Sequence, residues 1–149
     1  GHDALALARI GWKVTALDQV APLEEIVNSK LHPLGGEYQL GDALAWTSAS
    51  GEPEMDLIFD HTFLCAIDPE QRPRFADLVL RNLRQGGQLV CLLYPVGKLL
   101  EAGGPPHSLD AEQVGALFGD SLELVEHSPA VHTIETREHV ERWGRFVRR

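Results

Sequence analysis

The chain has 149 residues, of which 44% are hydrophobic, and this is enough for one globular domain with a single sizeable core. Lys and Arg total 13 against 22 Asp and Glu, and a net charge of -9 excludes the basic surface of a nucleic-acid-binding protein. The longest apolar run, residues 89–94, is far shorter than the roughly 18 residues of a membrane span, and no basic-then-apolar leader opens the chain. These features favour a partner that is a small molecule, with neither a nucleic acid nor a membrane involved.

Two cysteines, Cys65 and Cys91, are fewer than a small disulfide-stapled secreted domain would carry. We therefore expect a cytoplasmic protein. The seven histidines are scattered singly, without the spacing of zinc ligands, so we expect no metal site.

Helical and strand-like hydrophobic patterns alternate along the chain. In order, they predict a helix over residues 3–10, a strand over 13–17, a helix over 23–31, short strands over 38–40 and 55–59, a helix beginning at Asp68-Pro69, a strand over 88–94, a helix capped by Ser108, and strands over 122–127 and 142–147. The helix that begins at Asp68 has the clearest signals, since Asp68 can cap it and Pro69 suits its first turn. Its apolar face runs from Phe75 to Leu83, and Gly86-Gly87 ends it.

This alternation predicts an α/β domain with a mostly parallel sheet and helices on both faces, because parallel strands require crossover connections. Ligands of such sheets bind at the carboxyl ends of the strands. Three acids, Asp18, Asp42 and Asp60, each follow a predicted strand. One acid in a loop is unremarkable, but three in succession indicate a binding edge.

A nucleoside cofactor would give two of these acids a role. A carboxylate at Asp18 can accept hydrogen bonds from both hydroxyls of a ribose, which serves dehydrogenases and methyltransferases alike. In the turn at Asp42-Ala43, the carboxylate can accept from the amino group of adenine while the following backbone N–H meets a ring nitrogen. The second feature favours a mononucleoside over a dinucleotide.

Four segments resemble those of one enzyme family. Residues 56–69 (DLIFDHTFLCAIDP) are similar to the strand-four segment of the thiol, thiocyanate and halide methyltransferases related to thiopurine methyltransferase. The other three follow in the family's order: residues 92–96 (LLYPV), residues 103–106 (GGPP) with Ser108, and the ending Glu141-Arg142-Trp143. The resemblance covers essentially the whole chain, and it implies a class I, Rossmann-like fold and transfer of a methyl group from S-adenosylmethionine (SAM).

The start of the chain, GHDAL, resembles the end of the family's proline- and glycine-rich cofactor loop, with Gly1 as its last glycine. The resemblance therefore implies that the family's first strand precedes this sequence and that the single domain over residues 1–149 is N-terminally incomplete. We expect the full-length protein to be a monomer.

The resemblance also implies the site. Cofactor contacts are expected from Gly1, Asp18, Asp42, Ala43, Asp60 and His61. The acceptor pocket is expected to include Cys65, Pro105 and Pro106, with residues 103–107 as a flap or a plain connection. His61 stands where the plant-type relatives carry tyrosine, and it can line either the cofactor's methionine end or the acceptor pocket.

For the two cysteines and the three tryptophans, we expect packing roles and not functional ones. Cys65 and Cys91 lie in apolar runs, where thiols usually serve packing. The positions of the three tryptophans, Trp12, Trp46 and Trp143, do not predict that they converge on one cation-binding surface.

The implied reaction is in-line displacement at the methyl carbon, in which the protein positions the nucleophile and excludes water. A thiolate or halide needs no strong general base, and no Ser/His/Asp arrangement is evident. Two alternatives stay open: a non-catalytic domain that binds SAM or a partner, and a methyltransferase acting on oxygen or nitrogen. A nicotinamide enzyme is disfavoured because Asp3 stands where a pyrophosphate would be repelled.

Overall fold

The computed structural model describes residues 1–131, 133–137 and 140–149. They form two compact units, Gly1–Trp46 and Thr47–Arg149. The prediction that the chain is one domain stays a prediction, and each unit is described by itself.

The first unit has two helices and a pair of parallel strands. In order these are α1 (His2–Arg9), β1 (Thr15–Asp18), α2 (Leu23–Leu31) and β2 (Glu37–Leu40). The strands are in register from Thr15 opposite Glu37 to Asp18 opposite Leu40. The core consists of Ala8, Val27, Leu31 and Tyr38. Each helix gives this core the buried residues of one face, as the predicted helical spacing requires.

The second unit is built around a four-stranded sheet. Its elements are β3 (Met55–Asp60), α3 (Arg72–Asn82), β4 (Leu83–Leu93), α4 (Ala111–Phe118), β5 (Leu122–Pro129) and β6 (Arg142–Arg148). The strand order is β3-β4-β6-β5, with β3 parallel to β4 and β6 antiparallel to both its neighbours. The α/β prediction is confirmed, but this sheet is mixed rather than mostly parallel, because β6 runs antiparallel to both β4 and β5.

Alternating side chains give the two central strands of the second unit's sheet, β4 and β6, a buried face. Leu89, Cys91, Leu93 and Phe146 are each 0% exposed, and they lie on one face because Leu89 pairs with Phe146. Phe59, Val90 and Trp143 point to the opposite face and are half-buried. The opposite face also packs, since Leu92 opposite Trp143 is 2% exposed, but it keeps part of its aromatic surface accessible.

The structure corrects two predicted boundaries. Helix α3 ends at Asn82, and Leu83 opens strand β4 with extended dihedral angles, opposite Met55. Arg148 donates to the carbonyls of Leu80 and Leu83, which satisfies the end of the helix early. The helix α4 is capped by Asp110, whose carboxylate accepts from Gln113 N at 2.8 Å, and Ser108 is not its cap.

The remaining predicted elements are present with shifts of one to a few residues. Asp68 does cap, but it caps a 3-10 turn (Pro69–Gln71) that precedes α3. Every helix of the described residues is too short to cross a membrane, the longest being α3 with 11 residues.

Candidate functional site

Asp18 is the last residue of β1, and its carboxylate shapes the turn that follows. Oδ1 accepts hydrogen bonds from the backbone N–H groups of Gln19 at 2.7 Å and Val20 at 3.2 Å. Asp18 is exposed, and its carbonyl accepts from Gly41 N at 2.8 Å. This contact joins the carboxyl ends of β1 and β2, so the segments carrying Asp18 and Asp42 lie at one edge of the strand pair.

Tyr38 supports this turn through a hydrogen bond from the core of the first unit. This residue was not predicted from the sequence to be part of the site. Its hydroxyl donates to the carbonyl of Val20 at 2.9 Å, and the residue is 5% exposed in the core of the first unit. Burial, followed by the nearby charge of Asp18, raises the pKa of the Tyr38 phenol. Asn28 exchanges two hydrogen bonds with the Tyr38 backbone. The signal available in the sequence was only the inward position of Tyr38 in a short strand.

Asp42 and Ala43 line a cleft at the carboxyl end of β2. The cleft has a volume of about 140 Å³ and is also lined by Leu17, Gln39, Leu40, Gly41, Ala45 and Trp46. Asp42 Oδ1 accepts from Leu44 N at 3.0 Å, which caps a 3-10 turn, and Trp46 donates to Gln39 at 2.6 Å. The cleft therefore combines a carboxylate, backbone groups and an indole wall, a mixture suited to a flat heterocycle.

Asp60 ends β3 with its carboxylate turned inward. The residue is 4% exposed, and its oxygens accept from the N–H groups of Phe63 at 2.8 Å and Leu64 at 3.3 Å. Within this turn Thr62 has φ +70°, which is unusual for a β-branched residue. Such strain persists where surrounding contacts fix it and is concentrated at functional sites. In this position Asp60 acts as the inner support of the turn.

Burial raises the pKa of Asp60 to about 6. The two backbone N–H groups and the nearby charge of His61 act in the opposite direction but do not cancel the loss of hydration. The carboxyl group therefore changes its charge close to neutral pH.

His61 belongs to a cluster of three rings. Its centroid lies 6.4 Å from that of Phe59 and 6.0 Å from that of Trp143, and the last two are 5.6 Å apart. His61 is exposed, and Trp143 pairs with Leu92 at the carboxyl end of β4. Trp143 lies beside His61 because antiparallel β6 brings residues of the tail next to β4, a contact that the sequence did not predict.

Cys65 is 2% exposed, so its thiol packs inside the turn region that Asp60 supports. Burial, and then the charge of Asp60, raises the pKa of the Cys65 thiol, and burial also raises the pKa of Cys91. The Cys65 carbonyl accepts from His107 N at 2.7 Å, which places the segment of Pro105 and Pro106 beside this loop.

Gly1 lies at the other end of the chain, in the first unit, where it caps α1 and faces Val27. A Cβ at position 1 would approach a Val27 methyl group to 3.0 Å, so a glycine suits this close packing. The structure therefore places the predicted site residues in two groups, one on each unit.

The fold matches that of known methyltransferases. A 1,6-didemethyltoxoflavin-N1-methyltransferase from Burkholderia thailandensis superposes with a TM-score of 0.77 at 14% identity, covering 99% of this chain and 66% of that one. The N-methyltransferase NodS from Bradyrhizobium japonicum, in complex with S-adenosylhomocysteine, gives 0.69 at 20% identity over 91% of this chain and 66% of its own. The fold is therefore the class I, Rossmann-like fold of the SAM-dependent methyltransferases.

Sequence comparison identifies the family. The model of the thiopurine S-methyltransferase (TPMT) family matches residues 1–146. Thiocyanate methyltransferase 1 of Arabidopsis thaliana is 33% identical over 98% of this chain and 64% of its own length, and its Brassica oleracea counterpart is 36% identical over 98% and 65%. This chain belongs to the thiopurine S-methyltransferase family. It spans just under two thirds of the length of these plant relatives.

Proposed function

We propose that this chain carries the catalytic domain of a SAM-dependent methyltransferase whose acceptors are small soft nucleophiles: thiols, thiopurines, thiocyanate or halides. The observation that carries the proposal is the family match over residues 1–146, together with relatives named thiocyanate, thiol and thiopurine methyltransferases. The single domain predicted from the sequence belongs to the same proposal.

The donor set of the first unit fits SAM. Asp18 is an exposed carboxylate at a strand end, as a ribose diol requires, and the cleft beside Asp42 and Ala43 offers a carboxylate and backbone groups to an adenine edge. The family resemblance adds Gly1 in the first unit, and Asp60 and His61 in the second, to the proposed cofactor contacts. When bound, SAM supplies an electrophilic methyl group on a sulfonium.

In this proposal the residues of the chain position the cofactor and the acceptor and shield them from water. They do not form a covalent bond to the acceptor. Asp18 and Asp42 bind and orient the cofactor, and Tyr38 holds the Asp18 turn in place. His61, backed by the rings of Phe59 and Trp143, offers the acceptor an aromatic surface that excludes water. A thiolate or halide arrives as a competent nucleophile, so the site needs orientation more than proton transfer.

We also propose a cytoplasmic monomer that binds no nucleic acid. Both cysteines are buried free thiols, as a reducing compartment permits, and the net charge of -9 disfavours a polyanionic partner. Gel filtration with light scattering, and a gel-shift assay with random DNA and RNA, test the last two points. A dimer or a shifted band would contradict them.

A direct experiment is to incubate the full-length protein that contains this chain with SAM and a panel of acceptors and to measure S-adenosylhomocysteine. The panel contains thiophenol, a thiopurine, thiocyanate, iodide, a catechol and an alkylamine. Soft acceptors should react fastest, and Asp18→Asn should lower the rate with every acceptor. The matched control is Asp120→Asn, which removes an exposed acid from a 3-10 turn elsewhere and should leave all rates unchanged.

Faster turnover of the catechol or amine than of every soft acceptor would overturn the acceptor class while leaving the fold intact. Absence of turnover and of SAM binding would overturn the methyltransferase proposal itself.

A further inference from the structure

Residues 103–108, here called the strap, connect the end of the loop that follows β4 to helix α4. The strap has no helix or strand of its own, yet it is tied to the second unit at three successive positions. Lys98 Nζ donates to the carbonyl of Pro106 at 2.7 Å, and His107 N donates to the carbonyl of Cys65 at 2.7 Å. The third tie is made by Arg72 Nη2, which donates to the carbonyl of Ser108 at 2.8 Å.

Arg72 is an unusual residue for such a contact. It is 7% exposed, and its Nε is buried without a hydrogen-bond partner among the described residues. Burying a guanidinium is costly, and a backbone carbonyl offsets only part of that cost. If position 72 served stability alone, an apolar side chain would suit it better than an arginine. The hydrogen bond that Arg72 donates to the strap gives a reason for an arginine at this position.

The strap is also tightly packed against itself. A side chain at position 104 would overlap the ring of His107, so only a glycine permits this close approach. The ring and the glycine stack at the centre of the strap, next to Pro105 and Pro106. The three hydrogen bonds and this close packing are typical of a fixed segment. A mobile flap would be attached at fewer positions.

The two loops that the strap joins both follow carboxyl ends of parallel strands. Cys65 lies in the loop after β3, and Lys98 lies in the loop after β4. Ligands of such sheets bind at this edge, and the exposed ring of His61 stands in the same loop as Cys65. The strap therefore lies where a wall of an acceptor pocket would be required.

We propose that Arg72 and Lys98 are positioning residues that hold the strap in place as one wall of the acceptor pocket. The inference rests on the proposed methyltransferase function. Neither side chain needs to touch the acceptor, since each acts through a backbone carbonyl of the strap. Loss of either tie should loosen the wall, weaken acceptor binding and leave cofactor binding unchanged.

The experiment combines hydrogen exchange with steady-state kinetics on Arg72→Met, Arg72→Lys and Lys98→Met. The exchange rate of the His107 amide, measured by NMR, should rise about tenfold or more in both methionine variants, because a charged donor to that segment is lost. KM for thiophenol should rise by a similar factor, while KM for SAM and kcat change by less than about twofold. Arg72→Lys, which keeps a charged donor, should restore much of both properties.

Arg84→Met is the matched control. Arg84 is a surface arginine of the same unit, paired with Asp56 at 2.6 Å and half-exposed, so its loss removes one positive charge without touching the strap. It should leave the exchange rate and both KM values unchanged. If Arg72→Met does not fold, Lys98→Met still decides, because Lys98 is a half-exposed loop residue whose hydrogen bond to Pro106 can be removed without disturbing the core.

Unchanged His107 exchange in the methionine variants would overturn the inference, and so would a loosened strap with an unchanged acceptor KM. Either result, with an active wild-type protein, leaves the proposed function standing. A wild-type protein that methylates no acceptor would overturn the proposed function, and the acceptor-wall role with it.

Discussion

The buried carboxyl group of Asp60 should make the protein less stable as the pH rises through about 6. Its pKa is about 6 in the folded state, above the ordinary value of 3.8 that it regains on unfolding. Between these values the folded state binds more protons than the unfolded state, so the free energy of unfolding falls as the pH rises. This pH dependence is opposite in sign to that of an aspartate in a native ion pair, whose ionisation stabilises the folded state.

The size of the effect follows from the two pKa values. The difference of about 2 pKa units corresponds to about 3 kcal/mol at full ionisation. About 1.3 kcal/mol of this is expressed between pH 5 and pH 7, since the fully unfolded group is already ionised there and the folded group is changing charge.

Asp60→Asn keeps an oxygen that can accept from Phe63 N and removes the charge. It should raise the free energy of unfolding at pH 7 by up to about 3 kcal/mol. The difference between the variant and the wild type should grow by about 1.3 kcal/mol from pH 5 to pH 7. Urea denaturation at pH 5, 6 and 7, followed by tryptophan fluorescence, measures both quantities. Subtracting the two proteins removes the contribution of the histidines that do not interact with Asp60.

The control is Asp56→Asn, four residues earlier on the same strand, where the carboxylate is more than half exposed in a surface ion pair with Arg84. Its difference from the wild type should be flat over this pH range. If the Asp60→Asn difference is also flat, or if the variant is the less stable protein at pH 7, then burial does not govern the Asp60 carboxyl and the reasoning fails.

Three further outcomes are expected. Asp18→Ala should weaken SAM binding about 30- to 150-fold by calorimetry, because a bidentate charged contact is lost, and an unchanged dissociation constant would remove Asp18 from the site. His61→Tyr should change the ratio of iodide to thiol turnover more than it changes the dissociation constant of SAM, and the reverse pattern would move His61 out of the acceptor pocket. Cys65 and Cys91 should not react with a thiol reagent until the protein is denatured, because both are buried and have raised pKa values, and rapid labelling of the native protein would contradict this.

Local pattern was sufficient for the class of fold and for the family. The alternation of helical and strand-like segments depends on side-chain periodicity, which is a property of neighbouring residues. The acids at the strand ends were visible for the same reason: Asp18 and Asp60 directly follow apolar strand residues and were found to end β1 and β3. The order of the four family-like segments needed no structure at all.

Only the tertiary structure decided what these residues do in place. Asp60 could be identified as a strand-end acid, but its burial depends on how the turn folds back to present two backbone N–H groups. The contact of Trp143 with His61 exists because β6 runs antiparallel beside β4, and the tie between Arg72 and Ser108 joins positions 36 residues apart. Leu83 lies in strand β4 and not in the predicted helix, because its backbone pairs with Met55 and its carbonyl accepts from Arg148. Sequence periodicity records which face of an element is apolar, whereas burial of a polar group and the pairing of distant elements depend on free energies shared among residues that meet only in the folded chain.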